Sequence, residues 1–161
     1  RLAALRWITH YEQGDKREAV LAGFYSRWQH EALVVNQWLT VQATRPDVDG
    51  VESVQALMTH PAFDWRNPNK LRALIGAFAG ANPIAFHRED GAGYRLMGEV
   101  IERLQASNPQ IAARMLAPMT RWRRYAVGQG AMRAELERLA AIDPLPKDVF
   151  EVVTKALEEP S

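Results

Sequence analysis

The stretch from residue 67 to residue 94 constrains the fold more sharply than any other part of the chain. Asn67 is a favourable N-cap, and Pro68 follows at the first helical position. Apolar residues then recur at spacings of three and four, at Leu71, Leu74, Ile75 and Phe78. Gly80 and the Asn82-Pro83 pair end this pattern. The stretch therefore predicts a helix with one apolar face, followed by a turn, a loop and the start of another helix.

Apolar residues recur at helical spacing along the rest of the chain, and no segment alternates apolar and polar residues as a strand would. The clearest stripes are Leu2, Leu5 and Ile8; Val20, Leu21, Phe24 and Trp28; and Leu96, Val100, Ile101 and Leu104. The links between stripes are short and contain Gly or Pro, which favours antiparallel packing of neighbouring helices. We expect eight to nine helices.

The predicted fold is all-α. Its preferred architecture is an irregular right-handed α-α superhelix of stacked antiparallel helix pairs, similar to HEAT or armadillo arrays. No fixed repeat period is visible in the sequence, and a closed helical bundle is the alternative. A chain of 161 residues suits one domain, so residues 1–161 are expected to form a single domain.

Composition argues against several kinds of partner. The 20 basic and 19 acidic residues give a net charge of +1, which offers no global field for nucleic acid or an anionic membrane. The chain contains no cysteine, and it lacks the run of about 18 apolar residues that a membrane span requires. Because it begins at Arg1 rather than Met, we expect a processed product or an excised domain.

The four histidines do not predict a metal site. They are His10, His30, His60 and His87, and none has a second histidine three or four residues away, as a helical zinc site needs. Residues 87–91, His-Arg-Glu-Asp-Gly, place an imidazole beside two carboxylates on a loop, which permits a catalytic interpretation. The favoured interpretation is structural, with His87 anchoring the loop by a hydrogen bond and Asp90 capping a helix.

One cluster of arginines and two single arginines are further candidates for a binding role. Arg121, Arg123 and Arg124 alternate with aromatic residues, but a solvated helix end is favoured over a nucleic-acid patch because no basic stripe accompanies them. Arg72 lies about 110° from the centre of its predicted apolar stripe, and Arg114 lies about 60° from Ile111. From the residues alone, both are expected to extend past the core or to form ion pairs.

The stretch "NPNKLRALIGAFAGANPIAFHREDGAGY" resembles the C-terminal helical domain of bacterial aminopeptidase N, the zinc-dependent alanyl aminopeptidases. The resemblance extends upstream through "FYSRWQHEALVVNQWLTVQA" and downstream through "NPQIAARMLAPMTRWRRY". It implies that the chain is the C-terminal domain of a larger cytoplasmic metallo-exopeptidase. In that family the domain closes over the catalytic domain, and arginines on its inner face line the substrate channel. The matching positions here are Arg72 and Arg114.

The resemblance also implies what this chain lacks. The zinc-binding helix of the family, its downstream glutamate ligand and its Gly-x-Met-Glu-Asn motif are missing, so the chain carries no catalytic residue, metal or cofactor. Zinc is expected in the catalytic domain of the parent enzyme, and the fragment alone is expected to be inactive. The expected partners are that catalytic domain and peptide substrates, without nucleic acid or membrane. The alternative is an autonomous helical-repeat scaffold that binds a partner protein.

Overall fold

A computed structural model describes residues 2–158 of the chain; Arg1 and residues 159–161 lie outside the described part. Within residues 2–158 there are helices and no strand, which confirms the all-α prediction. The α-helices are α1 Leu2–Tyr11, α2 Gly14–Trp28, α3 Ala32–Ala43, α4 Gly50–Leu57, α5 Pro68–Leu71, α6 Ala77–Ala81, α7 Pro83–Phe86, α8 Ala92–Gln105, α9 Pro109–Met115, α10 Ala117–Thr120, α11 Gln129–Ala140 and α12 Lys147–Leu157. A π-helical segment, Arg72–Gly76, joins α5 to α6, and a 3₁₀ turn, Trp122–Arg124, follows α10.

The backbone contacts divide the chain into two compact units, Arg1–Ala85 and Phe86–Ser161. Each unit has its own buried core, and each is described by itself below. The expectation of a single domain over residues 1–161 stays a prediction.

In the first unit, α3 contacts the largest number of neighbouring elements: α1, α2, α4, α5, α6 and the π-helical segment. Its central residues Trp38 and Leu39 are buried. The indole Nε1 of Trp38 donates a hydrogen bond to the carbonyl oxygen of Leu21 in α2 over 3.0 Å. This bond satisfies the one polar atom of a large apolar side chain, so Trp38 can pack between the helices.

Asn82 ties the end of α3 to the start of α7. Its side chain is 1% exposed. Its Nδ2 donates to the carbonyl oxygens of Ala43 over 3.0 Å and Arg45 over 2.7 Å, and its Oδ1 accepts from the backbone N–H of Ala85 over 3.2 Å. The residue predicted to stop a helix therefore also satisfies three backbone groups that would otherwise be buried without partners.

In the second unit, α8 is the most deeply buried helix, with nine of its 14 residues inside. It contacts α9 and α11, and α12 packs against both of these. Gly98 brings α8 close to α11, because a Cβ at this position would overlap the carboxylate of Glu135. Arg138 donates to Glu135 over 2.7 Å and to Glu102 over 2.8 Å, and these bonds raise the pKa of Arg138.

The predicted helix start at Asn67 is confirmed. The Oδ1 of Asn67 accepts from the N–H groups of Asn69 and Lys70, and Asn108 caps α9 in the same way. The break between α9 and α10 lies at Leu116, and Pro118 stands in the first turn of α10, where a helix tolerates its missing N–H. Helix α2 begins at Gly14, and no side-chain hydrogen bond caps it.

Candidate functional site

Arg72 begins the π-helical segment, which the sequence pattern did not predict. The apolar residues of this stretch keep the spacing of an ordinary α-helix, and Leu71, Leu74, Ile75 and Phe78 are all buried as expected. The hydroxyl of Thr40 in α3 donates to the carbonyl oxygen of Ala73 over 2.8 Å. Short π-helical turns within α-helices are frequent at functional sites.

The guanidinium of Arg72 is available for a ligand. The residue is exposed, and its Nη1 lies 3.4 Å from the Oδ1 of Asn69. No carboxylate pairs with it among residues 2–158, so the expected ion pair is not formed there. Lys70, two residues earlier, is half-buried, and burial lowers its pKa. The α5 end of this segment therefore carries two basic groups of different accessibility.

Arg114 lies in the last turn of α9 and belongs to the second unit. Its neighbours Ala112, Ala113 and Met115 are buried, while Arg114 itself is exposed. Its side chain has no hydrogen-bond or ion-pair partner in the described part of the chain. A cation near the carbonyl end of a helix is electrostatically favourable. Arg114 is therefore a second solvated guanidinium without a carboxylate partner.

The loop around His87 is held by hydrogen bonds, which confirms the structural interpretation. The Nδ1 of His87 lies 2.8 Å from the Oη of Tyr94, and the His87 ring stacks at 4.4 Å on Tyr125. Burial lowers the pKa of His87. The Oδ1 of Asp90 accepts from the N–H of Ala92 over 3.0 Å, at the start of α8. Both predicted polar residues therefore anchor the loop and the helix that follows it.

The arginine and tryptophan residues after α10 cap another helix. The Nη1 of Arg123 donates to the carbonyl oxygen of Ala156 over 2.7 Å, and its Nη2 donates to that of Glu158 over 2.7 Å. Trp122 is buried, and its Nε1 also donates to Ala156 over 2.9 Å. The guanidinium of Arg123 lies 4.2 Å from the Trp122 ring. This cluster closes the carbonyl end of α12, a more specific role than the predicted solvated helix end.

Within residues 2–158, His, Cys, Asp and Glu residues do not gather in groups of three or more that could hold a metal ion. No described helix has both the length and the apolar character needed to cross a bilayer.

Comparison with known proteins decides the family. A family model described as "Domain of unknown function (DUF3458_C) ARM repeats" matches residues 1–158. The chain belongs to the DUF3458_C family. The ARM repeats of this family agree with the predicted armadillo-like architecture.

Curated relatives of this DUF3458_C chain are bacterial aminopeptidases N, which confirms the resemblance seen in the sequence. The chain is 48% identical over 143 residues to aminopeptidase N of Haemophilus influenzae and 44% identical over 142 residues to that of Escherichia coli. Each alignment covers 88% of this chain and 16% of the relative. The chain therefore spans about one sixth of the length of these relatives.

A solved structure supports the same conclusion. The crystal structure of Legionella pneumophila aminopeptidase A in complex with aspartic acid superposes with a TM-score of 0.89 at 32% identity. The match covers 97% of this chain and 18% of that one.

Proposed function

We propose that this chain is the C-terminal domain of a cytoplasmic zinc aminopeptidase that removes N-terminal residues from peptides. Within that enzyme it caps the active-site cavity, lines the substrate channel and contacts the catalytic domain of the same polypeptide. The proposal is supported by the aminopeptidase N relatives and by the resemblance of residues 67–94 to the C-terminal helical domain of that family. Zinc belongs to the catalytic domain, and the fragment alone is inactive.

The observation that carries the channel role is the state of Arg72 and Arg114. Both guanidinium groups are exposed, and neither pairs with a carboxylate within residues 2–158. A guanidinium binds a carboxylate through charge-assisted and sometimes bidentate hydrogen bonds. In the proposed enzyme, each arginine attracts the free carboxyl end of a short peptide and so favours peptides over folded proteins.

The test is steady-state kinetics of the full-length enzyme with Arg72→Ala, Arg114→Ala and both changes together. For short peptides with a free carboxylate, each single change is expected to raise KM about fivefold and the double change about twentyfold. For an alanyl anilide, which has no carboxylate, KM should stay unchanged. The selective loss is expected because the removed contact involves the carboxylate and not the scissile bond.

Arg121→Ala is the matched control, since Arg121 is also exposed and has no partner within the described residues. It should leave KM for both substrates unchanged. Equal kinetics for the wild-type enzyme and the double variant would remove the channel role from Arg72 and Arg114.

A further inference from the structure

Helices α1 and α3 form the two sides of an open pocket of about 600 Å³ in the first unit. We call it the α1/α3 pocket and define it by six of its lining residues: Arg6, Trp7, His10, Tyr11, Asn36 and Gln37. The volume lies within the range of about 300–1,000 Å³ that is typical of small-molecule sites. Its lining combines aromatic rings with polar side chains, so it can both bind and orient a small ligand.

Trp7 and Tyr11 form the aromatic part of the pocket. They lie one helical turn apart on α1, and their ring centroids are 5.7 Å from each other. Trp7 is 57% exposed and Tyr11 is 72% exposed. Aromatic side chains of this size gain free energy when they are covered, and they prefer offset or edge-to-face contacts with other rings. The pair therefore offers an accessible surface on which a flat ring can stack.

The polar part of the pocket favours an anion. Arg6 is exposed, and its guanidinium pairs with no carboxylate within residues 2–158. None of the described residues that line the pocket is Asp or Glu. The Nε2 of His10 donates to the carbonyl oxygen of Val41 over 3.2 Å, which ties α1 to α3 beside the pocket. A carboxylate that enters therefore meets a positive charge and no competing negative one.

Asn36 supplies an acceptor that lacks a donor. Its Oδ1 is buried and accepts no hydrogen bond from the described part of the chain. A buried polar atom without a partner is unfavourable, and most such atoms in folded proteins are satisfied. Because Asn36 lines the pocket, an N–H group of a bound ligand can satisfy this oxygen once the terminal amide group rotates.

We infer that the α1/α3 pocket binds a molecule in which one carbon carries a carboxylate, an N–H group and an aromatic side chain. The ring stacks on Trp7 and Tyr11, the carboxylate pairs with Arg6, and the N–H donates to the Oδ1 of Asn36. A free aromatic amino acid and the C-terminal residue of a peptide share this chemistry. The inference does not rest on the proposed function, because the residues that carry it all lie in α1 and α3.

The first test is a titration of the 161-residue chain with N-acetylphenylalanine, which has all three groups, followed by ¹H–¹⁵N NMR. At the affinity per atom that is typical of drug-sized ligands, the Kd should be about 0.5 mM. Saturable shifts should appear at the Trp7 indole and at the side-chain amides of Asn36 and Gln37. Absence of saturable shifts at these three groups would overturn the inference.

Matched ligands separate the contacts. N-acetylphenylalaninamide lacks the carboxylate and N-acetylalanine lacks the ring, so each should bind at least about fivefold more weakly than N-acetylphenylalanine. Equal affinity for all three ligands would contradict the assigned chemistry. Free phenylalanine then identifies the source. Tighter binding than N-acetylphenylalanine assigns the pocket to free amino acids, and weaker binding assigns it to the C-terminal residue of a peptide.

Arg6→Gln removes the charge and keeps a polar side chain. It should raise the Kd for N-acetylphenylalanine about tenfold and leave the Kd for N-acetylphenylalaninamide unchanged. Arg121→Gln is the matched control, since Arg121 is also exposed without a carboxylate partner among the described residues, and it should change neither Kd. The remainder of the NMR spectrum should stay that of the wild-type chain, which separates a lost contact from a folding defect. An unchanged Kd in Arg6→Gln would overturn the inference.

Trp7→Ala should act differently, because the ring is present in both phenylalanine derivatives. It should weaken the binding of the carboxylate and of the carboxamide by the same factor, about fivefold, and Trp7→Phe should restore most of the affinity. Wild-type affinity in Trp7→Ala would show that the ring does not stack at this position and would overturn the assigned geometry.

Discussion

Helices α2 and α8 have almost the same length but differ strongly in the number of buried residues. Helix α2 has 15 residues, of which Leu21 alone is buried, while nine of the 14 residues of α8 are buried. Both carry an apolar stripe at helical spacing, so the sequence predicts a packed face for each. The difference shows that an apolar stripe predicts only that the helix packs against some neighbour. Whether that neighbour belongs to the same segment of chain is a tertiary question.

The largest difference in stability between the two helices is expected when apolar volume is removed from each. Ile101 in α8 is fully buried, so Ile101→Ala should lower the free energy of unfolding by about 2–5 kcal/mol. Phe24 in α2 is half-exposed, so Phe24→Ala should cost roughly 1 kcal/mol in the 161-residue chain. Urea denaturation of both variants measures the two values. Equal losses of unfolding free energy would mean that the apolar face of α2 is already covered within the chain.

Glycine-to-alanine changes should act with opposite signs in the two helices. At Gly98 the new methyl group meets the carboxylate of Glu135, which Arg138 holds in place, so Gly98→Ala should destabilise the chain by about 1–2 kcal/mol. At Gly23 the methyl group enters open space, and the better helix propensity of alanine should stabilise the chain by about 0.5–1 kcal/mol. Thermal unfolding of the two variants checks the signs, and a shared sign would contradict the difference in packing.

The smallest expected effect concerns pH and His60, which links α2 to the better packed α3. The His60 ring lies 4.7 Å from that of Tyr25 and 5.1 Å from that of Trp38, and its Nδ1 accepts from the N–H of Ala62. Burial lowers the pKa of His60, so it stays neutral in the folded chain at a pH where the unfolded chain takes up a proton. Stability is therefore expected to fall as the pH drops below about 6.5.

His60→Asn keeps an acceptor for Ala62 but cannot titrate, which makes it the appropriate variant. The free energy of unfolding, measured between pH 7.5 and 5.5, should depend less on pH in this variant than in the wild-type chain. Burial also lowers the pKa of His87, so some dependence should remain. An unchanged dependence would assign the acid sensitivity to other groups.

Local chemistry accounts for the parts of the fold that the sequence predicted. At Asn67, a side-chain acceptor followed by proline specifies a helix start within a few residues. The π-helical segment escaped prediction because its apolar spacing also suits an α-helix. The hydroxyl that donates to Ala73 comes from Thr40, 33 residues away in sequence.

The candidate site shows the same limit. Helical spacing places Arg72 and Arg114 beside their apolar stripes. It does not determine whether a carboxylate from a distant part of the sequence pairs with them. Arg123 shows the opposite outcome, since an arginine expected to be solvated donates to three carbonyl oxygens at the end of α12. Which arginine stays available for a ligand depends on long-range packing, which a single sequence does not contain.

The position of Asn82 immediately before Pro83 has a consequence for chemical ageing. Asparagine loses its side-chain amide when the backbone nitrogen of the next residue gives up its proton and attacks the side-chain carbonyl. Pro83 has no such proton, so the five-membered ring intermediate cannot form by this route. The amide that donates to Ala43 and Arg45 is therefore protected from deamidation by this route.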